Sequence, residues 1–241
     1  MCLRPAAVIF DLDGCLVDSE PLALAAITEE MRAMGVTDIT FDEIRSRFLG
    51  VSMRVICEQV AQRSGRDDAE GFVERVETRL FDEYRRHLKT IEGAPQMLST
   101  LQDEAIPIAI ATGGSLRRMQ ETLTSGGLDQ FFEGSAFSAD QVEHGKPAPD
   151  LFLLAAANMH VRPEHCLVLE DSPHGIEGAV AAGMRAIGFV GGSHLDGVRE
   201  AHADLLTSKG AERVVATLEQ VLDAILSTSE AGLDEQTGPP K

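Results

Sequence analysis

The sequence predicts an α/β fold, a doubly wound parallel sheet with an inserted α-helical cap domain. Three observations indicate this fold: short apolar runs recur along the chain, helix-like segments alternate with them, and a long stretch separates the first two runs. Runs that are apolar throughout are typical of parallel strands covered on both faces. Their alternation with helices indicates βαβ units.

Each apolar run defines a predicted strand. Four buried strands and a weaker one, the third in chain order, are expected at Ala6–Phe10, Ile106–Ala111, Ser135–Ser138, Cys166–Leu169 and Ala186–Val190. In open parallel sheets the ligand binds beyond the carboxyl ends of the strands. The polar residues that follow each run are therefore the candidate site residues.

The stretch between the first two long strands is far longer than a crossover requires. It spans 95 residues, whereas a crossover needs only about a dozen or more. We therefore expect a catalytic core made of residues 1–17 and 90–226, with a helical cap of residues 18–89 over the ligand site. Residues 227–241 are too polar to bury a core of their own and are expected to be disordered.

Start signals place the helices of the cap. Ser19 is expected to cap the first helix, with Pro21 in its first turn. Thr40–Glu43 and Asp67–Glu70 each have the pattern of a capping box, and Ser52 is expected to start a further helix between them.

The composition narrows the class of partner. A formal net charge of −18 argues against nucleic acid or an anionic membrane, since both favour clusters of Lys and Arg. The four cysteines form no C-x-x-C pair, and no apolar run approaches the roughly 18 residues of a membrane span. We therefore expect a cytoplasmic protein with reduced thiols that acts on a small molecule. The expected oligomeric state is a monomer, and a dimer is the open alternative.

Carboxylates follow two of the predicted strands. Asp11 and Asp13, with Gly14 after them, end the first strand, and Glu170 and Asp171 end the fourth. A polar turn is the alternative interpretation of the first pair. If these strands are neighbours, four acids share a small volume, and each like-charged pair at about 4 Å costs roughly 1 kcal/mol in water and about 4 kcal/mol at an effective dielectric of 20. A counter-ion is required, and hard oxygen ligands suit Mg²⁺.

Two further segments favour an anionic ligand. Thr112, Gly113 and Gly114 follow the second strand just before a helix starting at Ser115, and exposed backbone N–H groups at a helix N-terminus bind anions. A simple turn is the alternative. Lys146 precedes two prolines that stiffen the backbone around it, although a lone Lys is more often a surface residue.

Together these motifs resemble the haloacid dehalogenase superfamily, in its β-phosphoglucomutase-like phosphatase branch with a helical cap, which includes 6-phosphogluconate phosphatases. The resemblance spans residues 6–226. It rests on Asp11–Gly14, Asp18–Pro21, Thr112, Lys146–Asp150 and Glu170–Ser172, in the family's order and spacing.

The resemblance implies a role for each motif. Asp11 would attack phosphorus and form an aspartyl-phosphate, and Asp13 would protonate the leaving oxygen and later take a proton from water. Thr112 and the neighbouring backbone N–H groups, those of Gly113 and Gly114, would bind the phosphoryl oxygens. Lys146 would neutralise charge on Asp11 and the phosphate.

The resemblance also implies a metal site and a cap site. Mg²⁺ would be held by Asp11, the carbonyl of Asp13 and Asp171, with Glu170 helping, often through water. In the cap, Gly50 and Arg54 would contact substrate. For Arg54, a solvent-exposed position without a substrate contact is the alternative. His174, beside the Glu170–Ser172 motif, is expected to have either a substrate contact or a structural role.

We predict a Mg²⁺-dependent phosphatase acting on a sugar or sugar-acid phosphate. Asp13 argues against a dehalogenase, because a leaving halide needs no proton. Ala23 stands where mutases of this branch carry a His, and Leu49–Met53 lacks their Lys and Arg, so hydrolysis is favoured over mutation. Two alternatives stay open: a phosphomutase, and a non-catalytic module that binds a phosphorylated metabolite.

Overall fold

The computed structural model describes residues 4–40, 43–44, 53–65 and 69–227. Its centre is a parallel sheet of six strands in the order β3-β2-β1-β4-β5-β6. The strands are β1 (Ala7–Phe10), β2 (Ile108–Thr112), β3 (Ala136–Ser138), β4 (Cys166–Glu170), β5 (Arg185–Phe189) and β6 (Arg213–Val215). The predicted doubly wound α/β fold is confirmed.

Helices fill the intervals between the strands. Within the described residues these helices are α1 (Glu20–Ala33), α2 (Met53–Ser64), α3 (Ala69–His87), α4 (Ala94–Asp103), α5 (Leu116–Gly126), α6 (Asp150–Asn158), α7 (Pro173–Ala181), α8 (Arg199–Ser208) and α9 (Leu218–Leu226). None of them is both long and apolar enough to cross a membrane.

Both faces of the sheet are covered, and β1 shows why its sequence is apolar throughout. Val8 and Phe10 belong to one apolar cluster, which α4 and α9 complete. Ala7 and Ile9 belong to a second cluster on the opposite face, which α6 and α7 complete. Because successive side chains of a strand point to opposite faces, every position of β1 is a core position.

The helices between β1 and α4 have an apolar cluster of their own. It joins α1 to α3 through buried residues such as Met31 and Phe72. At its edge the Arg75 guanidinium lies 2.5 Å from the buried carboxylate of Glu30. A separate core of this kind is what the predicted cap requires, while the exact division at residues 18 and 89 stays a prediction.

The predicted start signals of the helices in the insert can be compared with the structure only where the residues are described. At the first box, the Glu43 amide donates to Thr40 Oγ1 at 3.1 Å. The box at Asp67–Glu70 and the start at Ser52 include residues outside the described part of the chain, and so does the tail beyond Ser227.

The sheet differs from the predicted strands mainly in β2 and β6. β2 begins two residues later than expected and includes Thr112, which places this side chain at the strand end itself. β6 is absent from the prediction because it has only three residues and lies, partly exposed, at the edge of the sheet.

Candidate active site

The carboxyl ends of the three central strands bring the predicted residues together. Phe10, the last residue of β1, is in register with Ile110 of β2 and Leu169 of β4. The chain leaves β1 with Asp11, whose amide donates to the Leu169 carbonyl at 2.9 Å. Residues that follow these strands therefore share one edge of the sheet, as the sequence predicts.

Lys146 bridges two of the strand-end acids. Its Nζ lies 2.6 Å from Asp11 Oδ1 and also contacts Glu170 Oε1, and its side chain is only 9% exposed. It lies 5.3 Å above the ring of Phe152, which supplies a cation–π contact. Burial lowers the pKa of Lys146, but the charges of Asp11 and Glu170 outweigh burial and raise the pKa, so this lysine stays charged.

The acids outnumber the lysine that neutralises them. Burial is the main reason that the pKa of Asp11 is raised; Lys146 opposes the rise, while Glu170, Asp171 and Asp13 add to it. Burial also raises the pKa of Glu170. A further cation at this edge would relieve the repulsion between the carboxylates.

The donor atoms present fit a hard divalent cation. Ligand atoms of Asp11, Cys15 and Asp171 lie within 4.8 Å of one another. Burial raises the pKa of the Cys15 thiol, and Mg²⁺ prefers oxygen ligands, so the two carboxylates are the suitable pair. The oxygens of Glu170 contact Lys146 and accept from the Ser172 amide at 2.8 Å, and its predicted part in metal binding stays a prediction, as does that of the Asp13 carbonyl.

Gly14 allows the two acidic segments to approach. Its φ is +81°, a conformation that side chains disfavour. A Cβ atom at this position would lie 2.1 Å from Asp171 Oδ2. The glycine that ends the first acidic motif is therefore required by the position of the Asp171 carboxylate.

Three side chains orient Asp13. The Ser19 hydroxyl donates to its Oδ1 at 2.5 Å, the Arg118 guanidinium donates to the same oxygen at 2.9 Å, and the Thr112 hydroxyl lies 3.5 Å from Oδ2. Ser19 stands at the N-cap position of α1, as predicted, but its side chain makes no capping hydrogen bond. The hydroxyl of Ser19 donates instead to the Asp13 carboxylate. α1 begins with Pro21 in its first turn, as predicted.

Arg118 is a site residue that the motifs do not reveal. It lies in the first turn of α5, where it pairs with Asp13 and approaches Glu20 to 3.4 Å. Burial lowers its pKa, but Asp13, Tyr84 and Glu20 together raise it. A cation in the first turn opposes the helix dipole, which is the one sequence signal that could have marked this position.

The glycine-rich segment lies beside the same acids. Thr112 Oγ1 accepts from the Gly114 amide at 3.1 Å, and the Ser115 side chain caps α5 by accepting from the Arg118 amide. Gly113 is exposed. The amides of Gly114, Leu116 and Arg118 thus already donate to Thr112, Asp140 and Ser115, and anion binding by the backbone N–H groups of this segment stays a prediction.

Two histidines that no sequence motif marks contact Asp171. His194 Nε2 lies 3.1 Å from Asp171 Oδ2, and His202 Nε2 contacts the Asp171 carbonyl at 2.6 Å. Burial lowers the pKa of His194, but the hydrogen bond and charge of Asp171, together with the charges of Glu20 and Asp18, outweigh burial and raise the pKa. His174 is exposed on α7.

The predicted cap residues are not placed in the site. Gly50 lies outside the described residues, and so does the side chain of Arg54 in α2. Their contacts with substrate stay predictions.

Comparison with known proteins identifies the family. The chain belongs to the haloacid dehalogenase-like hydrolase family, whose model matches residues 8–189. The resemblance inferred from the motifs is confirmed.

Two curated relatives are phosphatases. The chain is 31% identical to the phosphorylated carbohydrates phosphatase of Thermotoga maritima, an alignment that covers 90% of this chain and 99% of the relative. It is also 31% identical to the 6-phosphogluconate phosphatase of Escherichia coli, over 79% of this chain and 85% of the relative. The predicted enzyme class, a phosphoric monoester hydrolase, is confirmed.

Solved structures share the fold. A conserved haloacid dehalogenase-like protein of unknown function from Agrobacterium tumefaciens is 35% identical, with a TM-score of 0.74 over 92% of this chain and 99% of its own. A hydrolase of the family from Deinococcus radiodurans, solved with bound phosphate and sodium, is 30% identical, with a TM-score of 0.73 over 92% of this chain and 95% of its own.

Proposed function

We propose that this chain is a Mg²⁺-dependent phosphatase that hydrolyses a small sugar or sugar-acid phosphate through an aspartyl-phosphate on Asp11. The observation that carries the proposal is the contact of Lys146 Nζ with Asp11 Oδ1 at 2.6 Å, next to Asp13 and Asp171. A carboxylate held against a fixed cation can meet a phosphoryl group that a cluster of acids alone would repel.

The first step transfers the phosphoryl group to the enzyme. A carboxylate oxygen of Asp11 forms a bond to phosphorus while the bond from phosphorus to the ester oxygen breaks. Asp13, oriented by Ser19 and Arg118, gives its proton to that leaving oxygen. Lys146 stabilises the negative charge that spreads over the phosphoryl oxygens.

The second step returns the enzyme to its starting state. Asp13, now a carboxylate, takes a proton from water as the water oxygen attacks phosphorus. The bond between phosphorus and Asp11 breaks, and inorganic phosphate leaves. One aspartate therefore serves as acid and then as base.

Asp11 and Asp171 would hold the cation, with the Asp13 carbonyl and Glu170 as the further predicted ligands. Bound Mg²⁺ would supply positive charge that stabilises the transition state. The excess of buried carboxylates over Lys146 supports this assignment. The bound sodium and phosphate of the Deinococcus radiodurans structure are consistent with a cation and a phosphate sharing such a site.

The names of the relatives support a sugar phosphate as substrate. One relative is named for phosphorylated carbohydrates and the other for 6-phosphogluconate. In this chain the helices of the insert contact the core beside the site: Ser115 Oγ donates to Glu77 of α3 at 2.8 Å, and Arg85 of α3 pairs with Glu121 of α5 at 2.8 Å. We propose that residues 18–89 act as a cap that excludes water while substrate is bound, with Gly50 and Arg54 contributing to the choice of substrate.

The proposal is tested by phosphate release from an aryl phosphate and from a panel of sugar and sugar-acid phosphates. Activity is expected with Mg²⁺ and is expected to disappear with EDTA. Asp11→Asn should lower turnover by more than about 10³-fold, because an amide cannot attack phosphorus, while the thermal unfolding midpoint stays within a few degrees of the wild type. Wild-type turnover by this variant, or activity unaffected by EDTA, would overturn the mechanism.

A further inference from the structure

We propose that His194 is a positioning residue that holds the carboxylate of Asp171 in the orientation needed to bind the divalent cation. The loop after β5 would thereby be part of the metal site, although it supplies no ligand itself. This inference rests on the proposed function, since it concerns the cation that Asp11 and Asp171 would hold.

The contact between the two side chains is direct and enclosed. His194 Nε2 lies 3.1 Å from Asp171 Oδ2, and the histidine side chain is 2% exposed. Its second nitrogen, Nδ1, is buried and has no hydrogen-bond partner within the described part of the chain. The polar contact that fixes the imidazole ring is therefore the one with Asp171.

Glycines make room for this pair on two sides. A Cβ atom at Gly192 would lie 2.6 Å from the His194 ring, and one at Gly14 would lie 2.9 Å from the same ring. Gly14 belongs to the acidic segment that carries Asp11 and Asp13, so the imidazole fills the space between that segment and the loop after β5. A ring packed this closely has little freedom to turn away from Asp171.

The loop is anchored independently of the histidine. The Ser193 amide and hydroxyl both donate to Asp18 Oδ1, at 3.2 and 2.9 Å, and Leu195 is fully buried in the core. His194 therefore lies between two fixed neighbours. Asp171 is held at its carbonyl by His202 and at Oδ2 by His194, which leaves its other carboxylate oxygen for a cation.

Contacts of this kind affect metal affinity. A group that orients a carboxylate ligand removes the freedom that the ligand would lose on binding the metal, and its loss typically lowers metal affinity 10–100-fold. A histidine with a merely structural role would change stability when replaced and leave the affinity for the cation as it was.

The experiment measures Mg²⁺ binding to the metal-stripped full chain by isothermal titration calorimetry. His194→Leu retains much of the volume and removes the donor, so its Kd for Mg²⁺ should rise about 10–100-fold. His194→Gln retains a donor of similar reach and should bind within about threefold of the wild type. Ser193→Ala alters the same loop without touching the Asp171 carboxylate and should bind Mg²⁺ as the wild type does.

Kinetics give a second measurement. Phosphate release by His194→Leu should recover at high Mg²⁺, with the half-saturating concentration raised and the maximal rate within a few-fold of the wild type. If His194→Leu does not fold by circular dichroism, His194→Asn replaces it, because its shorter amide falls short of Asp171, and the same loss of affinity is expected.

Equal Mg²⁺ affinity in the wild type and in a folded Leu or Asn variant would overturn the role of His194 and leave the proposed function standing. Absence of Mg²⁺ binding by the wild type itself would instead overturn the proposed metal site, and this inference with it. The two failures are therefore distinguishable in one series of titrations.

Discussion

The guanidinium of Arg118 and the hydroxyl of Ser19 meet at one oxygen of Asp13, at 2.9 and 2.5 Å. Arg118 comes from the core helix α5, whereas Ser19 precedes the first helix of the insert. The carboxyl group of Asp13, which we propose as the proton donor, is thus oriented by one side chain from the core and one from the insert. Its orientation depends on how the insert lies against the core.

Arg118→Met should slow hydrolysis by about 10–100-fold for an alkyl phosphate and by less for an aryl phosphate. The physical reason is that a misoriented acid costs most when the leaving oxygen needs the proton most. The measurement is kcat for the two substrates at saturating Mg²⁺.

Arg117→Met is the matched control for this prediction. Arg117 is the neighbouring arginine, and it contacts Glu77 and the ring of Phe81 without a contact to Asp13. Its loss should affect both substrates alike. A similar substrate dependence in the two variants would show that Arg118 does not act through Asp13.

Asp13→Ala should likewise discriminate between leaving groups. The aryloxide of an aryl phosphate leaves without help, whereas the alkoxide of a sugar phosphate requires a proton. The loss of kcat should therefore be larger by at least about tenfold for the sugar phosphate. The comparison needs both substrates at saturating concentration and the same Mg²⁺. Equal losses for the two would contradict the assignment of Asp13 as the general acid.

Much of the sheet could be predicted because its central strands are buried on both faces. Every residue of β1 is fully buried, so hydrophobicity alone marks the strand. β6 could not be predicted this way, because Arg213 is exposed and the strand is only three residues long. Short edge strands owe their conformation to pairing with a neighbour, which local sequence does not record.

The strand-end residues of the site were predictable for a related reason. Once β1 and β4 are recognised as parallel neighbours, Asp11 and Asp171 must lie at the same edge. Arg118 and His194 reach this edge from a helix and a loop, and their approach depends on packing between distant segments. Nothing in the local sequence separates Arg118 from Arg117, although only one of them contacts Asp13.

The described cysteines should react slowly in the folded protein. Burial raises the pKa of Cys166 to about 11 and raises that of Cys15 and Cys57 as well. A raised pKa lowers the fraction of the thiol that is present as the reactive thiolate. For a thiol with a pKa of about 11, this fraction is about 0.1% at pH 8. Peptide mass spectrometry after iodoacetamide treatment should show little labelling of these three until denaturant is added. Rapid labelling of Cys166 in the native protein at pH 8 would contradict the burial on which this expectation rests.

Gly14→Ala should destabilise the protein and weaken Mg²⁺ binding together. The residue has φ +81°, and its added methyl group would lie 2.1 Å from Asp171 Oδ2, so the substitution combines backbone strain with displacement of a proposed ligand. Strained backbone of this kind costs on the order of 1–3 kcal/mol, and the steric conflict adds to it. Denaturant unfolding and Mg²⁺ titration measure the two effects.

Gly127→Ala separates strain from displacement. Gly127 also has positive φ, +65°, but a Cβ atom there would meet nothing within 4 Å. This control should lower the free energy of unfolding by about 1 kcal/mol and leave the Mg²⁺ affinity unchanged. Because both variants require the left-handed conformation, the additional loss in Gly14→Ala measures the close approach of the first acidic motif to Asp171. Equal unfolding free energies and equal Mg²⁺ affinities in the two variants would mean that this approach is not present in solution.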